Sequence, residues 1–250
     1  MEKAIDELMR ILDSLRGEGG CPWDRKQTFE SLRPFIIEEA YEVAEAIDKR
    51  DWNELKEELG DLLFLILFFT HIAQEKGLFD LEEMAKGTAQ KIIRRHPHVF
   101  GNLKVRDSQE VESNWYRIKE QEKGSLLSGI PRALPALLRA QKITRRAQSV
   151  GFDWEEPKGA LEKIEEELQE LKEAFEKGEN LEHEIGDLIL SIVNFGRLVG
   201  IQAEEALHKA CDRFIERFSY IEKKLKEQGK HLGEASLNEM DRLWNEAKGK

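Results

Sequence analysis

The sequence predicts an all-α protein built as two tandem four-helix-bundle-like domains that arose by internal duplication. Three observations predict it. Apolar residues recur at helical spacing through nearly the whole chain, and no Val/Ile/Thr run alternates with period two. Pro, only 6 in 250 residues, and Gly are rare inside these periodic stretches. A set of five features also occurs twice in the same order, the signature of a repeat.

The repeated features can be taken in chain order. CPWD (Cys21 to Asp24) has its counterpart in GFDWE (Gly151 to Glu155). Next comes EEAYE, supplying Glu38, Glu39 and Glu42, which matches EELQE with Glu166, Glu167 and Glu170. EELGD, with Glu58 and Asp61, matches EIGD, with Glu184 and Asp187. FDLEEMAKGTAQKIIRR then parallels IQAEEALHKACDRFIER, setting Lys91 and Arg95 against Arg213 and Arg217. Finally WYRIK (Trp115 to Lys119) matches WNEAK (Trp244 to Lys248). The spacing between the two acidic blocks is two residues shorter in the second copy, and the difference is expected in the turn. KGSLLSGIPRALP, dense in Gly, Ser and Pro, reads as the link. The expected domains are therefore residues 1–123 and 136–250, with a linker over 124–135, each of ordinary size.

Composition narrows the function. Asp and Glu outnumber Lys and Arg 50 to 39, a net charge of −11. Bulk charge of that sign does not hold a nucleic-acid polymer. A polyanionic ligand must then be met by local cations or a metal ion. The longest apolar run, Leu62 to Phe69, is too short for a bilayer. MEKAIDELMR lacks a signal-peptide core. The two cysteines, Cys21 and Cys211, are far apart and form no disulfide framework. A reduced, cytoplasmic setting is expected.

Thr28 before Phe29, with Ser31 nearby, marks a helix start. On that helix Ile36, Ala40, Val43 and Ile47 form an apolar stripe, and Glu38, Glu45 and Lys49 fall on the solvent side. Glu39 and Glu42, one turn apart, share a third face with Phe35 and Ala46. On the next helix Glu58 and Asp61 are again one turn apart and run directly into LLFLILFF, apolar all round and so buried. Asp61 is expected where that helix enters the core, and an unpartnered buried carboxylate is costly. Two helices joined by a short turn, here and at GEN (Gly178 to Asn180), bring the acidic pairs together. Four converging carboxylates repel, and an all-oxygen set favours Mg²⁺, with Mn²⁺ as a substitute. The other reading of so Glu-rich a helix, the run Glu162 to Glu173 above all, is a solvated face.

Downstream, Lys91 with Arg95 and Arg213 with Arg217 are one turn apart, as are Trp115 with Lys119 and Trp244 with Lys248. Cations suit phosphate oxygens and a Trp face suits a base. Together these features point to a nucleoside triphosphate site without a phosphate-binding glycine loop. The bland alternative is a core Trp beside a solvated Lys. His96 and His98, flanking Pro97, are read as a helix end rather than a metal pair.

These residues resemble a known family. GCPWDRKQT, EEAYEVAEAI, EELGDLLF and RRHPHVFG, followed by GFDW, EELQEL and EIGDLILSIVN, are similar to MazG, the nucleoside triphosphate pyrophosphohydrolases with two tandem all-α domains. The resemblance implies hydrolysis of nucleoside triphosphates to the monophosphate and pyrophosphate with Mg²⁺, by a homodimer, as broad housecleaning of the nucleotide pool. It implies metal ligands at Glu39, Glu42, Glu58 and Asp61, and at Glu167, Glu170, Glu184 and Asp187. Glu38 and Glu166 match the leading Glu of the motif, and Glu38 joins the first set as a catalytic candidate. Substrate contacts are implied at Lys91, Arg94, Arg95, Trp115, Lys119, Arg213, Arg217, Trp244 and Lys248. The rivals are a narrow dUTP or dCTP pyrophosphatase and a non-catalytic helical interaction module.

Overall fold

The computed structural model describes residues 2–249, apart from the side chains of Glu2, Gln109, Glu120 and Lys123. It is helical throughout, and no strand occurs among the described residues. The chain divides into two compact units, Met1–Leu103 and Lys104–Lys250.

The first unit contains α1 (Glu2–Arg16), a 3₁₀ turn at Asp24–Lys26, α2 (Phe29–Lys49), α3 (Trp52–Glu75), α4 (Leu81–Arg95) and a short α5 (Pro97–Phe100). As expected, α2 begins after Thr28. The Thr28 hydroxyl accepts from the Ser31 backbone N–H, and the Thr28 N–H donates to the Ser31 hydroxyl, satisfying two otherwise unpaired donors. Only Arg50, in the left-handed conformation, and Asp51 separate α2 from α3. The Asp51 carboxylate accepts from the backbone N–H groups of Asn53 and Glu54. So short a link folds α2 and α3 into a hairpin. Leu32 of α2 and Leu65, Leu67, Phe68 and Ile72 of α3 form a core with Leu12 of α1. Each such side chain contributes roughly 1.5–3 kcal/mol on burial.

Two expectations for this unit are corrected. The buried line of α2 runs through Leu32 and Ala46, with Ile36, Glu39 and Val43 half-buried, while Ala40 and Ile47 are exposed. The helix therefore turns the Glu39 face inward, because that face meets α3. Asp61 is exposed, since full burial on α3 begins one turn later, at Leu65. Leu63 also points outward.

The second unit contains α6 (Ser108–Lys123), α7 (Ala136–Gln148), α8 (Pro157–Lys177), α9 (Leu181–Leu198), α10 (Ala203–Glu227), a 3₁₀ turn at Leu232–Glu234 and α11 (Leu237–Lys248). Gly178 closes α8 with φ 71°, a conformation that glycine adopts without a Cβ penalty. Asn180 is left-handed too, and α9 starts at Leu181. The GEN turn is thus where the sequence places it. It is nevertheless three residues long against two in the first unit. The shorter spacing in this copy arises instead because α9 begins three residues closer to its acidic pair: Glu184 is the fourth residue of α9, whereas Glu58 is the seventh of α3. Ile221, Leu225 and Leu243 form a small core with Trp244 against it. The interior here is more polar than in the first unit, holding Gln141, Arg146, Glu167, Asn194 and Arg197. The buried Arg146 guanidinium donates to the carbonyls of Leu126 and Ser128, both at 2.8 Å.

Candidate functional site

Each helical hairpin gathers three carboxylates on the turn side of its length, from the two facing helices. In the first unit they are Glu39 from α2 with Glu58 and Asp61 from α3; in the second, Glu167 from α8 with Glu184 and Asp187 from α9. Within each trio, one oxygen per residue lies within 4.8 Å of the others. The spacing explains it: Glu58 and Asp61, like Glu184 and Asp187, project from one face a turn apart. The facing helix then supplies its inward Glu.

Electrostatics show the cost of this convergence. Burial raises the Glu39 carboxyl above the usual range, and the charges of Glu42, Asp61, Glu58 and Glu38 push it the same way. Glu58 is raised by desolvation first, then by Glu42 and Asp61. Oε2 of Glu39 and Oε2 of Glu167 are both buried without a hydrogen-bond partner. They occupy equivalent places in the two repeats. Orphaned carboxylate oxygens facing two further carboxylates are a donor set that fits a hard divalent cation.

The fourth expected ligand of each set stands apart. Glu42 and Glu170 are exposed and outside the trios. Their charges still reach them: Glu42 acts on Glu39 and Glu58, and Glu170 is raised by desolvation and by Glu167 and Glu184. Glu38 is exposed on the outer side of α2, as its helical position predicts. Glu166 is likewise outside the second trio and pairs with Lys163.

A cavity opens beside each trio. The first, about 170 Å³, is walled by Trp23, Phe35, Phe64 and Phe68 next to Glu39 and Asp61. The second, about 280 Å³, is walled by Ile143, Phe152, Trp154 and Leu190 and adds Lys163, Ser191 and Asn194 beside Glu167 and Asp187.

The expected cations are distributed over other helices. Lys91, Arg94 and Arg95 lie on α4. Trp115 and Lys119 lie on α6, within the second compact unit. Arg213 and Arg217 lie on α10, Trp244 and Lys248 on α11. The structure brings Arg217 and Trp244 together, with the guanidinium carbon 5.5 Å from the ring centroid and Phe214 packed on the same ring. Among the described residues, no ion pair joins Arg213 or Arg217 to the second trio. His96 caps the end of α4, its Nδ1 lying 2.7 Å from the Ile92 carbonyl oxygen, and touches His98, consistent with a helix end. Cys21 and Cys211 are free thiols.

Sequence reasoning missed three interactions, one at the second trio and two behind the trios. Lys163 lies one turn before Glu167, and its ammonium reaches Glu166 at 2.7 Å and Glu167 at 2.9 Å. Those two carboxylates hold it well above the ordinary lysine range. Its i,i+4 spacing to Glu167 was the available signal. The other two lie deeper on the ligand-bearing helices, His71 on α3 and Arg197 on α9. His71 Nε2 is 2.9 Å from Asp13, and its Nδ1 is 3.3 Å from Glu75, which Arg16 grips through two hydrogen bonds. Arg197 donates to Asp153 at 2.5 Å and to Asn194 at 2.9 Å. His71 and Arg197 occupy the same register after Asp61 and Asp187, a correspondence that the repeat itself carries.

Comparison with known proteins gives the following. The family model for the MazG nucleotide pyrophosphohydrolase domain matches residues 27–100 and 155–221, so once in each half. A Thermotoga maritima protein named nucleoside triphosphate pyrophosphohydrolase/pyrophosphatase MazG is 46% identical, with 98% of this chain and 96% of that protein aligned. An Escherichia coli K12 nucleoside triphosphate pyrophosphohydrolase is 41% identical over 98% of this chain and 97% of its own length. A solved structure of a mazG-related protein from Thermotoga maritima is 35% identical, covers 46% of this chain and 98% of its own, and has a TM-score of 0.40.

Proposed function

The chain belongs to the MazG nucleotide pyrophosphohydrolase family, and from that premise we propose how its carboxylate trios serve the reaction. The protein is a nucleoside triphosphate pyrophosphohydrolase, a hydrolase of phosphoanhydride bonds. In the proposed reading each trio holds Mg²⁺: Glu39, Glu58 and Asp61 in the first unit, Glu167, Glu184 and Asp187 in the second, with Glu42 and Glu170 completing the sets on loading. One observation carries it, the buried unpartnered oxygen of Glu39 repeated at Glu167. When bound, a divalent ion supplies Lewis acidity toward the triphosphate and toward the attacking water.

The residues of the chain do the rest. The trio carboxylates supply the negative charge that a bound cation offsets, and Glu38, on the outer side of α2, adds its charge to that acting on Glu39. Lys91, Arg94 and Arg95, and in the second copy Arg213 and Arg217, neutralise phosphoryl oxygens as charge moves onto the leaving pyrophosphate. Trp115 and Trp244 offer a face to the base, with Lys119 and Lys248 a turn beyond each. Cleavage falls between the α- and β-phosphates. Broad base specificity is part of the proposal, in keeping with relatives whose names specify no base.

The duplicated segments are proposed as residues 1–123 and 136–250, with 124–135 as linker, and a homodimer is proposed as the working form. Ile185, Ile189 and Ile192 form an exposed apolar stripe on α9, and Leu59 and Leu63 repeat it on α3. A second copy covering such stripes removes apolar surface from water. No helix among the described residues is long and apolar enough to cross a membrane. The proposed setting is the cytoplasm, with free nucleotides rather than nucleic-acid polymers as partners.

The test is pyrophosphate release from a panel of ribo- and deoxynucleoside triphosphates, with and without Mg²⁺. Release from several bases, lost on chelation and restored by Mg²⁺, is the expected result. Turnover confined to dUTP or dCTP replaces the broad reading with the narrow one, and metal-independent turnover refutes the assignment of the trios.

A further inference from the structure

We propose that Lys163 is a built-in counter-ion of the second carboxylate trio, competing with the divalent cation, so that the two halves of the chain load metal with unequal affinity. The inference rests on the reading that the trios hold metal, and it concerns what distinguishes them.

The geometry is specific. The Lys163 ammonium is 2.9 Å from Oε1 of Glu167, the buried ligand of the trio, and 2.7 Å from Glu166. Glu167 is only 5% exposed while the Lys163 side chain is one-third exposed, so water screens the pair only in part. Lys163 also lines the cavity that opens beside Glu167 and Asp187. One carboxylate oxygen of Glu167 is thus already satisfied, while Oε2 remains without a partner. An ion entering the second trio meets a positive charge already hydrogen-bonded to one of its ligands.

At the matching position the first trio carries no charge. The residue one turn before Glu39 is Phe35, whose ring packs edge-on against Trp23 at 5.9 Å. Phe35 lines the first cavity as Lys163 lines the second. The charged groups acting on Glu39 are the carboxylates of Glu42, Asp61, Glu58 and Glu38. Repulsion in the first trio is left for a metal ion to relieve. In the second it is partly relieved from within, and the entering ion must displace or tolerate the ammonium.

The experiment measures Mn²⁺ binding to the full-length protein without nucleotide, by calorimetry or by the electron paramagnetic resonance of free Mn²⁺. Glu58→Gln leaves the second trio to report, and Glu184→Gln leaves the first. In the Glu58→Gln background, Lys163→Met, which keeps the apolar stem but not the charge, should tighten Mn²⁺ binding about tenfold, the scale of one unit charge a few ångströms away in a partly solvated site. Lys163→Arg should leave binding weak. In the Glu184→Gln background, Phe35→Lys should weaken binding by a similar factor, which keeps the idea testable if Lys163→Met fails to fold. Unchanged or weaker binding in Lys163→Met overturns the proposal while leaving the metal reading intact. If Glu58→Gln with Glu184→Gln binds Mn²⁺ as well as the parent, the metal reading falls and this proposal with it.

Discussion

The two hairpins keep the same carboxylates and an indole beside them, Trp23 in one and Trp154 in the other, and differ in the charge and polarity of the remaining walls. Beside Glu39 the walls are Trp23, Phe35, Phe64 and Phe68; beside Glu167 they include Lys163, Ser191 and Asn194. Deeper on the helix, an imidazole paired with an exposed aspartate in one half corresponds to a buried guanidinium–carboxylate pair in the other. Glu58 stands nearly two turns inside α3, whereas Glu184 stands in the first turn of α9, where the helix N-terminus favours negative charge. Duplication has thus preserved ligand geometry and let its electrostatic setting drift. Shared ligands fix where a cation is expected, and the setting decides how tightly each half would hold it.

The sharpest way to break the comparison is to remove charge from both trios. Glu58→Gln with Glu184→Gln should lower pyrophosphate release by about 10³-fold, since binding and activation of the triphosphate fail together. The two single variants then divide activity between the halves. If the double variant turns over normally, the trios are not the reaction centre.

A smaller effect separates the two supports. Arg197 and Asp153 are nearly excluded from water, with side chains 3% and 11% exposed. Arg197→Met strands the Asp153 carboxylate and should destabilise the second unit by about 3–5 kcal/mol. His71→Leu, which releases the well-solvated Asp13, should cost about 1 kcal/mol. Urea unfolding followed by probes in each unit reads both, and equal losses would mean that the supports are equivalent after all.

How far these features could be read from sequence follows from their range. Helix starts and turns are local, so Thr28 and the GEN turn were legible from capping and glycine chemistry. The pairing of Glu39 with Glu58 and Asp61 was legible because two periodicities meet across a short turn. The true inward line of α2 was not, since its apolar residues fit two faces and only packing against α3 selects the one bearing Glu39. Nor was the exposure of Asp61, which depends on where α1 and α2 stop covering α3. The partners of His71 and Arg197 come from Asp13 and Asp153, distant in sequence, and no spacing rule connects them.

The smallest effect sharpens the electrostatic side. Glu39, Glu58 and Glu170 all have raised folded-state values. Without metal, such groups favour the fold below their unfolded value, about pH 4.3, and that contribution is lost as pH rises through the raised folded values. Metal-free protein should therefore lose a few degrees of Tm between pH 5 and pH 8 relative to Glu39→Gln, and Mg²⁺ should erase the difference. Identical pH profiles for parent and variant would show that the clustered carboxylates do not strain the fold.

The buried Arg197 carries a consequence for how such a duplicated chain can change. Its acceptor, Asp153, arrives from the segment ahead of α8, whereas His71 is met from α1. A chimera that transplanted α9 into the first half would set the guanidinium against Asp13, an anion exposed to water on a different element, and the reverse graft would leave the nearly buried Asp153 facing an imidazole. Sister segments that began as copies have become non-interchangeable parts, each tied to its own half by a dependence that must be altered at two positions together.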